Sequence, residues 1–340
     1  MEFITGGTGL VGRHLVWQLL KDERPVRLLC RPQTDRSALH TFLESKGVNP
    51  TGLNWAEGNI QDSDFMEEAL TGCTRVYHAA AVVSFHPKDK ELMKRTNRFA
   101  TATLVNAMLH AGVTELVHVS SVAALGRVEG QPVHEDTPFE DGPNVSAYAQ
   151  SKFDAELEVW RGQEEGLNVL TVNPTVILGE GNFHRSSSVL FKLVRRGLKW
   201  YPTGSNGFVS AHDVARACVL LSDHGCWGNR YLLNTEDMSY QVLFSGIAKA
   251  MGVDPPHRPI RSWMMALAWR LGTIWEAISG QKSNLTKESI SNTHRDHSYA
   301  SNRLQRHLAE KGLEWSYQPM IETIEETAKA CLKALGPIQR

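Results

Sequence analysis

Short apolar runs alternate with stretches of helical period through the first half of the chain: Glu2 to Thr5, Val26 to Cys30, Leu53 to Glu57, Arg75 to Ala79, Leu116 to Ser120 and Val169 to Asn173. Each run is of strand length, and the polar and amphipathic stretches between them are long enough for one helix apiece. This rhythm predicts βαβ units, hence an α/β fold around a parallel sheet. Beyond about Pro174 the rhythm loosens, with Gly, Pro and Asn clusters at Gly179 to Asn182 and Pro202 to Gly207, although Arg230 to Asn234 still reads as a strand. No internal repeat or low-complexity tract appears.

One late stretch, Trp263 to Ile278, is apolar and Trp-rich but interrupted by Arg270 and Glu276. A membrane span wants about 20 apolar residues, so a buried or lid helix is expected and no membrane span, with membrane-surface attachment or a dimer contact as the alternative. The first strand is expected almost at Met1, so no basic and apolar leader is expected. The sequons Asn144-Val-Ser146 and Asn284-Leu-Thr286 are therefore read as chance matches.

Composition narrows the class. With 41% hydrophobic and 21% charged residues the 340-residue chain is an ordinary globular sequence, not a disordered or disulfide-scaffold one. Lys+Arg 36 against Asp+Glu 37 gives a net charge of −1, which argues against a nucleic-acid binder. The cysteines, Cys30, Cys73, Cys218, Cys226 and Cys331, are scattered without a C-x-x-C pair. Neither a disulfide framework nor a zinc site is indicated, and a cytoplasmic location is expected. His294 and His297, three apart, match no familiar metal-ligand spacing, so no metal is expected.

The strongest local signal is Phe3-Ile4-Thr5-Gly6-Gly7-Thr8-Gly9-Leu10-Val11-Gly12 at the end of the first strand, with a helix expected from near Arg13. Glycines there let the backbone turn sharply and approach a pyrophosphate, whose charge rests on the helix N-terminus. The expected architecture is thus a Rossmann-type doubly wound parallel sheet. A dinucleotide-binding domain is placed over 1–175, with later returns to the sheet near 208–235, and a smaller, mainly substrate-binding domain over 176–335. The second strand ends in Cys30-Arg31-Pro32 without a carboxylate for a ribose 2′-OH. A guanidinium suits a 2′-phosphate, so NADP(H) is favoured over NAD(H) with Arg31 as its ligand.

The second signal is Tyr148-Ala-Gln-Ser-Lys152, preceded by Ser120-Ser121 at the end of a strand. A spacing of four puts Tyr148 and Lys152 on one helix face, where the ammonium is expected to pull the phenol below its usual value near 10. Together with the glycine loop, the Ser, Tyr and Lys set points to proton exchange beside a nicotinamide.

At this point the chain resembles the extended short-chain dehydrogenases/reductases, the NAD-dependent epimerase/dehydratase family, over nearly its whole length. Thr5-Gly6-x-x-Gly9-x-x-Gly12 looks like the family's cofactor loop, Asn59-Ile60-Gln61-Asp62 like its adenine-contact motif, and His78-Ala79-Ala80-Ala81 like its fourth-strand motif. Ser121, Tyr148 and Lys152 resemble its catalytic triad and Asn97 the asparagine that accompanies it. Asn173, Pro174 and Val176 resemble the segment contacting nicotinamide, and Gly207-Phe-Val to Asp213-Val-Ala215 a late motif supporting the substrate domain. Ser120 to Gly126 and Leu285 to Ile290 are most similar to the dihydroflavonol-reductase-like branch. What the resemblance implies is hydride transfer between NADP(H) and a carbonyl or alcohol of a fairly apolar small molecule. Tyr148 would be general acid and Ser121 a donor to the carbonyl oxygen. Lys152 would be ribose ligand and tuner of Tyr148, and a homodimer would form through the helices bearing Asn97 and Tyr148.

Two departures bear on the chemistry. Val122-Ala123 follow Ser121 where the family's dehydratases carry an acid pair, and Ser205-Asn206-Gly207 stand where nucleotide-sugar epimerases carry an arginine; Arg195, Arg196 and Lys199 are alternative cations. Dehydration is not expected. An epimerase that never releases its cofactor is the alternative enzyme, and a cofactor-binding scaffold or sensor without turnover the alternative from another class. Substrate-lining candidates are Val83 and Phe85 with Ser121, and specificity is placed in Val82 to His86, Asn182 to Leu190 and the Trp263 segment.

Overall fold

The computed structural model describes residues 1–142, 145–261, 264 and 293–336. The Trp263 to Ile278 segment, apart from Met264, lies outside the described residues, as do Asn144, Asn284 and Leu285 to Ile290.

The expected runs form β1 (Glu2–Thr5), β2 (Val26–Cys30), β3 (Leu53–Glu57), β4 (Arg75–His78), β5 (Glu115–Val119) and β6 (Asn168–Pro174). After β7 (Val176–Leu178), β8 (Trp200–Tyr201) and β9 (Ser205–Ser210), the chain returns to the main sheet as β10 (Asn229–Leu233). Seven strands lie in the order β10-β6-β5-β4-β1-β2-β3, with every pairing parallel. This is the Rossmann-type doubly wound α/β fold. The order reverses between β1 and β4, and in such sheets ligands bind outside the strand ends at that reversal.

Both sheet faces are covered, which is why the strands read as near-continuous apolar runs. One face packs on α1 (Leu10–Lys21), α2 (Ser37–Ser45) and the later helix Ala211–Asp223, through Leu15, Leu19, Leu43, Val214 and Cys218. The other packs on α3 (Ser63–Leu70), α5 (Ala100–Ala111) and α6 (Ala147–Glu164), through Met66, Leu70, Leu104, Met108 and Val159; between α3 and α5 lies the short α4 (Lys90–Met93). A separate core joins Phe183, Phe191, Phe208, Phe244 and Ile324 beneath a small sheet of β7, β9 and β11 (Glu236–Ser239). All five cysteines are buried free thiols. Among the described residues no helix is long and apolar enough to cross a membrane.

Candidate active site at the sheet switch point

The glycine loop leaves β1 at Thr5 and enters α1 at Leu10, three residues earlier than the sequence implied, with Gly9 in the capping position. Gly6 adopts φ +72°, and a Cβ on it would lie 2.6 Å from Ala80 N; a Cβ on Gly12 would lie 2.1 Å from Gly6 O. Backbone therefore packs on backbone here, and only glycine fits. The Gly9 N–H donates to Gly6 O at 2.9 Å, closing the turn. No side chain caps α1, whereas α3 and α6 are capped by Asp62 and Ser146. The first N–H groups of α1, at Leu10, Val11 and Gly12, are thus left to face an anion, the arrangement a pyrophosphate requires. A nicotinamide dinucleotide fits this cradle.

Across the switch point, Ala79 and Ala80 donate their N–H groups to Thr5 O (3.2 Å) and Thr5 Oγ1 (3.2 Å), tying the end of β4 to the loop; Ala81 is exposed beyond them. Thr5 Oγ1 also lies 2.6 Å from His78 Nδ1, and His78 Nε2 lies 2.9 Å from Thr101 Oγ1 on α5. Arg31 follows β2 on the exposed surface, its N–H donating to Thr34 Oγ1 at 3.1 Å. Nearby Arg36 is taken by Glu57 and lies 4.8 Å over the Trp55 ring. Beyond β3, Asn59 Oδ1 accepts from Gln61 N at 3.1 Å, and Ile60 packs on the core next to α3.

Ser121, just past β5, and Tyr148, on the first turn of α6, come together, close enough for the Ser121 hydroxyl to act on the phenol, while Ser121 Oγ accepts from Ala123 N at 3.1 Å. Phe85 stands edge-on to Tyr148 with ring centroids 5.7 Å apart, and Val83 is exposed beside it in the same loop. Lys152 lies one turn further along α6, 2% exposed, with its Nζ donating to Val119 O at 2.9 Å. Burial pushes its ammonium down to about 8 against the pull of Glu156. The Tyr148 phenol corrects the expectation of a lowered value: burial pushes it up, and the Ser121 hydrogen bond is what pulls back. The Lys152 ammonium, held on Val119 O, does not offset that desolvation.

Asn97 lies in a π-helical turn, Lys94–Phe99, with its side-chain amide committed to Val82 N (2.8 Å), Val82 O (2.9 Å) and Ser151 Oγ (2.9 Å). It holds the loop after β4 against α6 and does not face the Ser121 and Tyr148 hydroxyls directly. Pro174 ends β6 and is buried; Val176 opens β7 and packs on the second core. His294 lies 3.1 Å from Ile260 O, and among the described residues no group of three metal-type ligands occurs.

Sequence reasoning missed a buried carboxylate. Glu156, one turn beyond Lys152 and 0% exposed, accepts from Asn173 Nδ2 at 2.6 Å and pairs with Arg230 at 3.2 Å. Its four-residue spacing from Lys152 was the available signal; Arg230 comes from a strand 74 residues away, which no local pattern announces.

Known proteins are similar to this chain in sequence and fold. A Synechocystis sp. protein provisionally named a dihydroflavonol 4-reductase is 28% identical over 275 residues, covering 78% of this chain and 77% of its own. A Stigmatella aurantiaca 4-hydroxy-2-methyl-3-oxo-4-farnesyl-3,4-dihydroquinoline-1-oxide ketoreductase is 27% identical over 237 residues, covering 68% and 67%. The crystal structure of gox2253 superposes with a TM-score of 0.80 at 26% identity, covering 100% of this chain and 99% of that one. The sequence model of the NAD dependent epimerase/dehydratase family matches residues 3–232, and the chain belongs to that family.

Proposed function

We propose that the protein is an NADP(H)-dependent oxidoreductase that reduces the ketone or aldehyde of a fairly apolar small molecule, with Tyr148 delivering the proton. The observation that carries this reading is the convergence of Ser121 and Tyr148 at the switch point, where the Ser121 hydroxyl holds the Tyr148 phenol down against burial, with a buried lysine one turn behind it. The nicotinamide coenzyme, when bound, supplies the hydride. Residues 5 to 12 hold the pyrophosphate on uncapped N–H groups. Asn59 and Ile60 border the adenine, Arg31 takes the 2′-phosphate, and Ala79 to Ala81, Pro174 and Val176 flank the rest of the cofactor. Tyr148 and Lys152 also hold its ribose.

Ser121 and Tyr148 together present hydroxyls to a carbonyl oxygen, where they stabilise developing negative charge and then protonate it. Phe85 and Val83 offer apolar surface beside that point. Asn97 acts as a positioning residue for their loop. A homodimer through the helices bearing Asn97 and Tyr148, in a reducing cytoplasm suited to the free thiols, completes the reading. A second reading, an epimerase that oxidises and re-reduces one bound substrate, is favoured by the family description itself; its mark would be purification with tightly held cofactor.

Calorimetric titration with NADPH and NADH tests the cofactor assignment. NADPH should bind more tightly, and Arg31→Ala should weaken it by about 1.5–3 kcal/mol, the scale of a charged hydrogen bond, while sparing NADH. Equal affinities, or an Arg31→Ala protein that loses both alike, would remove Arg31 from the 2′-phosphate.

A further inference from the structure

A polar row crosses the sheet just beneath the switch point. Register aligns Thr5 with His78, His78 with His118, His118 with Thr171 and Thr171 with Arg230, spanning β1, β4, β5, β6 and β10 on the face that packs against α5 and α6. Two residues down each of the first four strands the row is apolar: Phe3, Val76, Leu116 and Val169. Polar groups between a sheet and its covering helices cost desolvation energy unless they find partners. Several here find none: both ring nitrogens of His118, Thr171 Oγ1 and Asn173 Oδ1 are buried without a hydrogen bond. The sheet alone gives no reason for this row.

The helix above gives one. Lys152 projects into this layer and has only a main-chain carbonyl as hydrogen-bond acceptor. Several titratable or charged groups face it. His78 from β4 is pushed down to about 3 and His118 from β5 is pushed well down, both by burial first and Lys152 second, so each is neutral at pH 7. Tyr148 lies a turn before it, and Arg230 from β10 is a cation. Glu156, one helical turn on, is the carboxyl whose charge acts on it; burial pushes that carboxyl up, and Arg230 is the largest of the groups that pull it back. The Glu156 carboxylate is in turn held from the sheet edge by Arg230 (3.2 Å) and by Asn173 Nδ2 (2.6 Å), which also donates to Ser121 O at 3.0 Å. One buried carboxylate on α6 is thereby linked, through the Asn173 amide, to the Ser121 segment.

We propose that Glu156 is a positioning residue: its carboxylate, anchored by Arg230, is the counter-charge that keeps Lys152 an ammonium and, through Asn173, fixes the main chain of Ser121. The inference rests on reading Tyr148 and Lys152 as the proton-transfer pair. Burial disfavours a charged amine, and an opposite charge one helical turn away restores it. Without that charge Lys152 becomes neutral near physiological pH and can no longer favour a phenolate on Tyr148.

The test reads Lys152 directly and needs no turnover. In the intact protein labelled with 15N-lysine, the Lys152 Nζ resonance, assigned by its loss in Lys152→Met, is titrated by NMR. Glu156→Gln keeps an acceptor for Asn173 but removes the charge, and should lower the Lys152 midpoint by about one pH unit or more, the effect of a close opposite charge. Glu156→Asp should restore most of it. If Glu156→Gln strands Arg230 and fails to fold, the double variant Glu156→Gln/Arg230→Met replaces the buried pair with neutral groups of similar size and should show the same drop. An unchanged midpoint in either variant, or a drop that Glu156→Asp does not reverse, overturns the proposal. Because the signal is Lys152 itself, a protein inactive on every carbonyl tried would defeat the catalytic reading without altering this result.

Discussion

Mild acid should unfold this protein through two buried histidines. His14, 4% exposed on α1 with Nδ1 2.8 Å from Leu10 O, and His78, 1% exposed, are each pushed down to about 3, chiefly by burial. An unfolded histidine titrates near 6.5, so below that pH the unfolded chain takes up protons that the folded one refuses. The stability these residues contribute is complete above about pH 6.5 and drains as the pH falls toward 3. At about pH 5 each sits roughly 1.5 units below the unfolded value, a loss of about 2 kcal/mol per residue and about 4 kcal/mol for both. His118 acts in the same sense. Glu156, raised by burial, opposes it by taking a proton early. A difference between variants isolates the effect. His14→Leu keeps an apolar side chain of similar bulk, and its loss of stability between about pH 7.5 and pH 5 should be about 2 kcal/mol smaller than the parent's. Urea unfolding followed by the fluorescence of the nine tryptophans measures this. A His14→Leu protein with the parent's pH dependence would refute the reasoning.

Two substitutions probe the site. Gly12→Ala puts a Cβ 2.1 Å from Gly6 O and 2.6 Å from Gly7 Cα, both backbone atoms. The loop must shift, and calorimetry should show dinucleotide affinity reduced by about tenfold or more, with stability lower by about 1–3 kcal/mol. Tyr148→Phe keeps the ring and should abolish turnover with cofactor affinity nearly unchanged, whereas Lys152→Ala should damage both. A Tyr148→Phe enzyme retaining most of its kcat would remove the phenol as proton donor.

Much of this was legible in the sequence, because the motifs that carry the cofactor site are local. The runs at β1, β2 and β3 match the strands residue for residue, and β4 to β6 differ by one residue at their ends. Ser121, Tyr148 and Phe85 do converge. What escaped depends on register and burial. The start of α1 at Leu10 is not marked in the sequence, because Gly9 gives no side-chain capping signal. The π-turn that aims the Asn97 amide at Val82 and Ser151 has no signature in the local sequence. The direction of the Tyr148 shift depends on how deeply the ring is desolvated, which spacing does not reveal. Nor does any local pattern bring His118, Thr171 and Arg230 into one row, since only the pairing of β5, β6 and β10 does so.

The central claim is net reduction of a carbonyl by hydride from the bound coenzyme. NADPH deuterated at the transferable nicotinamide position, offered with a panel of aromatic aldehydes, cyclic ketones and UDP-sugars, tests it most directly. The account predicts one deuterium on the former carbonyl carbon of an apolar product, NADP+ released in equal amount, and no product from Tyr148→Phe. Conversion confined to the UDP-sugars, with neither deuterium in the product nor NADP+ set free, would contradict it.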